Sequence, residues 1–182
     1  IVFPDQHSPK ELKLEVTQPE KSDNAAAELY GIKVEINQMF NMVRVSIEKG
    51  LDAILERKSV VSYVREMEEK IDIIHDGIIR SISKTMSSNI TPEESQLVSE
   101  MFQINKDIER LGDHAMNLAE RGDELLHCEG LTEEMMEEVS LLNQLVLESL
   151  KAIDHITRNP DKERFEIVDH NEAKMDELSQ AI

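Results

Sequence analysis

Residues 107–120 read DIERLGDHAMNLAE. Apolar residues recur three and four apart, at Ile108, Leu111, Ala115 and Leu118, which is the period of one buried helix face. Gly112 has no turn to make inside such a helix, so it predicts the close approach of a neighbouring helix or a ligand. Glu109 and Asp113 stand one turn apart and share a face. With Ile108 and Leu111 on the seam, both carboxylates fall beside it and point outward. The stretch therefore poses two questions: what packs on the glycine, and what faces the acids.

The seam continues in both directions. Leu97, Met101 and Ile104 extend it upstream, and Gly122 and Leu125 extend it downstream. Its start is well marked: Thr91 as N-cap, Pro92 at the first helical position and Glu94 three residues on form a capping box. Gly130 predicts the stop.

Two helices precede this one. The first is expected from about Asn24 to Arg57, with Leu29, Ile32, Ile36, Met39, Val43, Ile47, Leu51 and Ile54 on its seam. The second is expected from about Ser59 to Ser87, with Val64, Met67, Ile71, Ile74 and Ile78. Short connections between them predict an up-down-up bundle. Thr132 then caps a fourth helix through Met136, Val139, Leu142, Val146, Leu150 and Ile153. Asn159-Pro160 breaks the chain before a fifth.

The fifth helix echoes the second. An offset of 104 residues relates Val64, Glu68, Ile71, Asp72, Ile74 and Ile78 to Val168, Glu172, Met175, Asp176, Leu178 and Ile182. Asn171 against Met67 is the one mismatch. This is an internal duplication, with the second copy stopping before its third helix. The expected organisation is an arm or linker over residues 1–23, a three-helix bundle over 24–130, and the first two helices of a second bundle over 131–182.

Composition supports helices and narrows the partners. Aromatics make up 3% of 182 residues, Trp is absent and Met numbers 9, which suits helix-on-helix packing better than a sheet sandwich. The formal net charge of −18 repels nucleic acid and anionic headgroups and attracts cations. One cysteine, Cys128, excludes an intramolecular disulfide and a thiolate metal cage, and suits a reducing compartment. No run approaches the roughly 18 apolar residues of a membrane span, and no signal peptide opens the chain.

Glu-x-x-x-Asp occurs four times, at Glu48/Asp52, Glu68/Asp72, Glu109/Asp113 and Glu172/Asp176. The spacing stacks two carboxylates where they can share a hard or borderline cation such as Mg, Mn, Fe or Zn. With 38 acidic residues in the chain such pairs also arise by chance, so spacing alone carries little weight. Asp76 adds another turn to the Glu68/Asp72 column, and His75 and His114 adjoin Asp76 and Asp113. A solvated acidic face is the plain alternative for all of them. A carboxylate-bridged oxidase is disfavoured, because only Glu124-Leu-Leu-His127 has the Glu-x-x-His spacing and its phase is outward. No phosphate loop or nucleophile elbow is present.

DIERLGDHAMNLAE resembles the third-helix motif of the PhoU family, and EEKIDIIHDGI and EAKMDEL are similar to its second-helix motifs. The resemblance covers roughly residues 25 to 182. It implies an all-α fold of tandem PhoU-like up-down-up three-helix bundles, the second incomplete. It also implies a non-enzymatic role in regulating phosphate uptake, with iron or zinc (less so Mn or Mg) held by Glu68, Asp72, Glu109, Asp113, Glu172 and Asp176. Glu48/Asp52 matches no family motif and is assigned to chance.

Stand-alone members open their third helix with a "PvA.DLR" segment, where this chain has ITPEESQLVSEMFQINKDIER. That is more similar to the cytosolic C-terminal tail of bacterial sodium-dependent phosphate (Na/Pi) cotransporters. The implied partner is a membrane transporter portion in cis, or a phosphate transporter in trans, at the cytoplasmic face of the inner membrane. A homodimer is left open. The alternatives are a stand-alone regulator of phosphate uptake and a metal-free helical adaptor.

Overall fold

The computed structural model describes residues 25–128, 132–158 and 161–181. They form five helices, α1 Ala25–Glu56, α2 Val61–Met86, α3 Pro92–Leu125, α4 Glu133–Arg158 and α5 Lys162–Ala181, with no strand among the described residues. The fold is all-α, as the periodicity predicts, and the first three helices start and stop within a few residues of their expected bounds. The proposed arm over residues 1–23, the stop at Gly130 and the Asn159-Pro160 break lie outside the described residues.

Local chemistry explains the helix ends. The Thr91 capping box forms: Thr91 N–H donates to Glu94 Oε2 at 2.8 Å, and Glu94 N–H donates to Thr91 Oγ1 at 3.2 Å. Thr132 Oγ1 caps α4 by accepting from Met135 N–H at 3.2 Å. Asp161 caps α5 in the same way, its Oδ1 accepting from Glu163 N–H at 3.1 Å. At the end of α1, Arg57 takes a left-handed φ of 52°. Lys58 N–H then bonds back to the Ala53 carbonyl at 3.0 Å, which closes the last turn in a Schellman-type arrangement.

The chain divides into two compact units, one joining residues up to Val43 with Arg65–His114, the other joining Arg44–Val64 with residues from Ala115 onward. In the first unit α1 and α2 run antiparallel. Glu28 at the start of α1 accepts from Lys84 Nζ and, at 3.1 Å, from Thr85 Oγ1 near the end of α2. Its core is aliphatic, with Ile32, Met39 and Val43 from α1, Ile71 and Ile78 from α2, and Val98 from α3. Removing these side chains from water is the main favourable term in folding the unit.

In the second unit α1 and α3 run parallel through a stripe of small residues. A Cβ on Gly50 would lie 3.1 Å from Leu118 Cβ, and one on Gly122 would lie 3.3 Å from Ile54 Cγ1. The ends of these helices are tied by Arg57, whose guanidinium donates to the carbonyl oxygens of Leu125 at 3.2 Å and Cys128 at 2.9 Å. α4 and α5 pack on one another as a hairpin. Asn171, the mismatch in the 104-residue repeat, is buried between them. Its Nδ2 donates to Ser149 Oγ at 3.3 Å and Glu148 Oε2 at 3.2 Å.

The phase of α3 differs from the expected seam. The buried positions are Val98, Met101, Asn105, Ile108, Gly112, Ala115, Ala119 and Gly122, an unbroken alternation of three and four. Leu97 and Ile104 are instead 41% and 48% exposed, and Leu111, Leu118 and Leu125 are half-buried. Hydropathy favours the row of aliphatics, but close helix packing favours the row containing glycine and alanine. On α4, likewise, Leu142 of the expected seam is exposed, and Asn143 and Leu145 are buried.

Candidate functional site

The site is built on one packing contact in the first unit. A Cβ on Gly112 of α3 would lie 3.5 Å from both Cδ1 and Cγ2 of Ile71 on α2, and 3.7 Å from Val43 Cγ2 on α1. The glycine therefore sits where the three helices pack, but at ordinary contact distances that leave room for a Cβ, so the close approach expected at Gly112 is found instead at Gly50 and Gly122. Asp72 follows Ile71 and Asp113 follows Gly112, so the contact brings these two carboxylates to the same rim. Glu68 stands one turn before Asp72 on α2, and Glu109 one turn before Asp113 on α3.

Electrostatics show which acids sense one another's charge. The Asp72 carboxyl is held above its ordinary range, first by partial desolvation and then by the Asp113 charge, with Asp76 adding and His75 opposing. Glu68 is also raised, first by partial desolvation, then by Asp72 and Asp113, with Arg65 opposing. Glu68, Asp72 and Asp113 thus form one mutually repelling set. Glu109 is half-buried on the same helix as Asp113. Glu172 and Asp176 are exposed on α5 in the second unit.

An oxygen-only rim of like charges has the donor chemistry of a hard or borderline cation site, because a cation would relieve the repulsion. Among the described residues, however, no three of the His, Cys, Asp and Glu side chains stand together as a metal-holding group.

Two features escaped the sequence reading. Glu35 on α1 is buried at 4% exposure and its Oε2 has no hydrogen-bond partner. Desolvation pushes its pKa up to about 7, with the Arg80 charge opposing. Only the breadth of the buried arc on α1, which also takes in Phe40, Met42 and Ser46, signals that position 35 lies inside. The second is the Arg57 clasp, which no local pattern announces because its acceptors lie 68 and 71 residues away.

A helical bundle with an acidic rim on its second and third helices is the class that fold and site define. A family model described as the PhoU domain matches residues 36–122. That span, a little under half of the chain, is similar to the PhoU domain, a family that is regulatory rather than catalytic. It takes in Glu68, Asp72, Glu109 and Asp113 and leaves Glu172 and Asp176 outside. No curated protein and no solved structure matches the chain. Among the described residues, no helix is long and apolar enough to cross a membrane.

Proposed function

We propose that this chain is a non-enzymatic regulatory module that tunes phosphate uptake, acting on a sodium-dependent phosphate transporter at the cytoplasmic face of the bacterial inner membrane. The observation that carries this reading is the PhoU match over residues 36–122, which encloses the acidic rim. The net charge of −18 disfavours binding phosphate directly, so regulation through a cation or a protein contact is the better physical fit. Glu68, Asp72 and Asp113, with Glu109 beside them, would hold iron or zinc, which would supply the positive charge the rim lacks. Glu172 and Asp176 would serve the same purpose in a second bundle.

The test has two arms. Radiolabelled phosphate uptake is measured in cells carrying the full-length gene, with and without residues 25–182; unchanged uptake and unchanged response to external phosphate would reject the regulatory role. Elemental analysis then compares wild type with Asp72→Ala/Asp113→Ala, where iron or zinc should be retained only by the wild type. Equal metal content in both removes these acids as ligands.

A metal-free helical adaptor is the second reading. It predicts an unchanged melting temperature on adding Fe, Zn or Mn, since a ligand specific for the folded state must stabilise it.

A further inference from the structure

The phase of α3 leaves an aliphatic row outside the core. Leu97, Ile104 and Leu111 recur every seven residues and so share one face. Leu97 and Ile104 are exposed over two-fifths to one-half of their surface, at 41% and 48%, and Leu111 is half-buried. Met101 and Ile108, which interleave with them, are buried, so the row is the outer margin of the core.

A second row runs alongside it. Glu93, Glu100 and Asp107 are exposed and also recur every seven residues, each three or four positions from an aliphatic neighbour. Glu100 Oε1 accepts from Gln96 Nε2 at 3.0 Å and Asp107 Oδ1 accepts from Gln103 Nε2 at 3.0 Å. The amides orient these carboxylates without neutralising them. No described basic side chain pairs with any of the three.

From these two rows we infer that α3 docks a basic amphipathic helix of a partner protein. Its aliphatic residues would seat along Leu97, Ile104 and Leu111, and its Lys or Arg residues against Glu93, Glu100 and Asp107. Aliphatic residues at seven-residue spacing are what a partner helix meets with its own seam. The flanking acids select the sign of that helix's charge and speed its encounter. A second copy of this chain fits poorly, because it would bring like charges together on a background of −18. The same acids disfavour an anionic lipid surface.

The probe is a fluorescein-labelled synthetic Leu/Lys amphipathic helix about 18 residues long, titrated by fluorescence anisotropy against the full chain and compared with a Leu/Glu counterpart. The Lys helix should bind, more weakly as salt rises, and the Glu helix should not. Leu97→Ser/Ile104→Ser should weaken binding by roughly tenfold or more. Glu100→Gln/Asp107→Asn should weaken it by roughly threefold to tenfold and flatten the salt dependence. Glu134→Gln/Glu138→Gln on α4 removes the same charge elsewhere and should leave binding unchanged. All six positions are exposed, and far-ultraviolet circular dichroism confirms that each variant folds. Equal loss in the α4 variant would show general attraction to an acidic protein and overturn the inference, as would absence of binding. Sedimentation showing a wild-type dimer that Leu97→Ser/Ile104→Ser dissociates would assign the face to a second copy and overturn it too.

Discussion

Asp113 on α3 raises the pKa of Asp72 on α2, and the two carboxylates flank the contact between Gly112 and Ile71. Two acids whose charges oppose one another across packed helices form a strained pair in the absence of a cation. Asp113→Asn keeps the size of the side chain and removes the charge. The Asp72 carboxyl, followed by carbon-detected NMR titration, should move down towards its ordinary range, and Glu68 should follow it by less. An unmoved Asp72 titration would mean that desolvation alone raises it.

Glu35 gives stability a pH dependence with a definite sign. Its folded-state pKa of about 7 lies above its ordinary 4.5, so between those values the folded chain binds more protons than the unfolded one. Stability from this group therefore falls as pH rises from 4.5 to 7, and the full penalty stands above pH 7. The shift corresponds to on the order of 3 kcal/mol. Urea unfolding at pH 8 should find Glu35→Gln more stable than wild type, and the difference should shrink towards pH 5. Glu28 acts in the opposite sense: the Lys84 hydrogen bond holds it below 4.5, so its contribution is lost only in more acid solution. A Glu35→Gln advantage that is the same at both pH values would remove Glu35 as its source.

What the sequence made legible was periodicity and punctuation. The helix order and the Thr91 capping box could be read because each is encoded within a few residues. The phase of α3 could not. Leu97, Ile104, Leu111, Leu118 and Leu125 form the more hydrophobic row, yet the adjacent row with Asn105, Gly112 and Ala119 is buried, since small side chains let helices approach. The acids at 68, 72 and 113 stand out in the sequence by their spacing, but which of them sense one another's charge depends on the register between α2 and α3. Register is a property of two helices and is invisible in either alone.

The glycines at positions 50 and 112 should respond differently to the same substitution. At Gly112 the added Cβ would meet Ile71 and Val43 side chains at ordinary contact distances of 3.5 to 3.7 Å. Gly112→Ala should therefore be neutral or stabilising, by up to about 1 kcal/mol from helix propensity. At Gly50 the new Cβ would lie 3.1 Å from Leu118 Cβ, an atom fixed to the α3 backbone. Gly50→Ala must push α1 and α3 apart and should destabilise by about 1 to 3 kcal/mol. Thermal melts should place Gly50→Ala below wild type and Gly112→Ala at or above it, and a loss of stability in both would contradict this packing.

Arg57 combines a backbone cost with a side-chain gain. A non-glycine residue at φ 52° costs roughly 1 to 2 kcal/mol. The same conformation accompanies a guanidinium that bonds the Leu125 and Cys128 carbonyls, where a cation also complements the negative end of the α3 dipole. Arg57→Gly relieves the backbone and loses the clasp, so the two effects nearly cancel. Arg57→Ala keeps the backbone cost and loses the clasp, and should be the less stable variant by roughly 1 kcal/mol. Native-state hydrogen exchange distinguishes the terms: both variants should lose protection in the last turn of α3, whereas only Arg57→Ala should lower the global unfolding free energy. Unaltered α3 protection in both would show that the guanidinium contacts contribute nothing to holding that end.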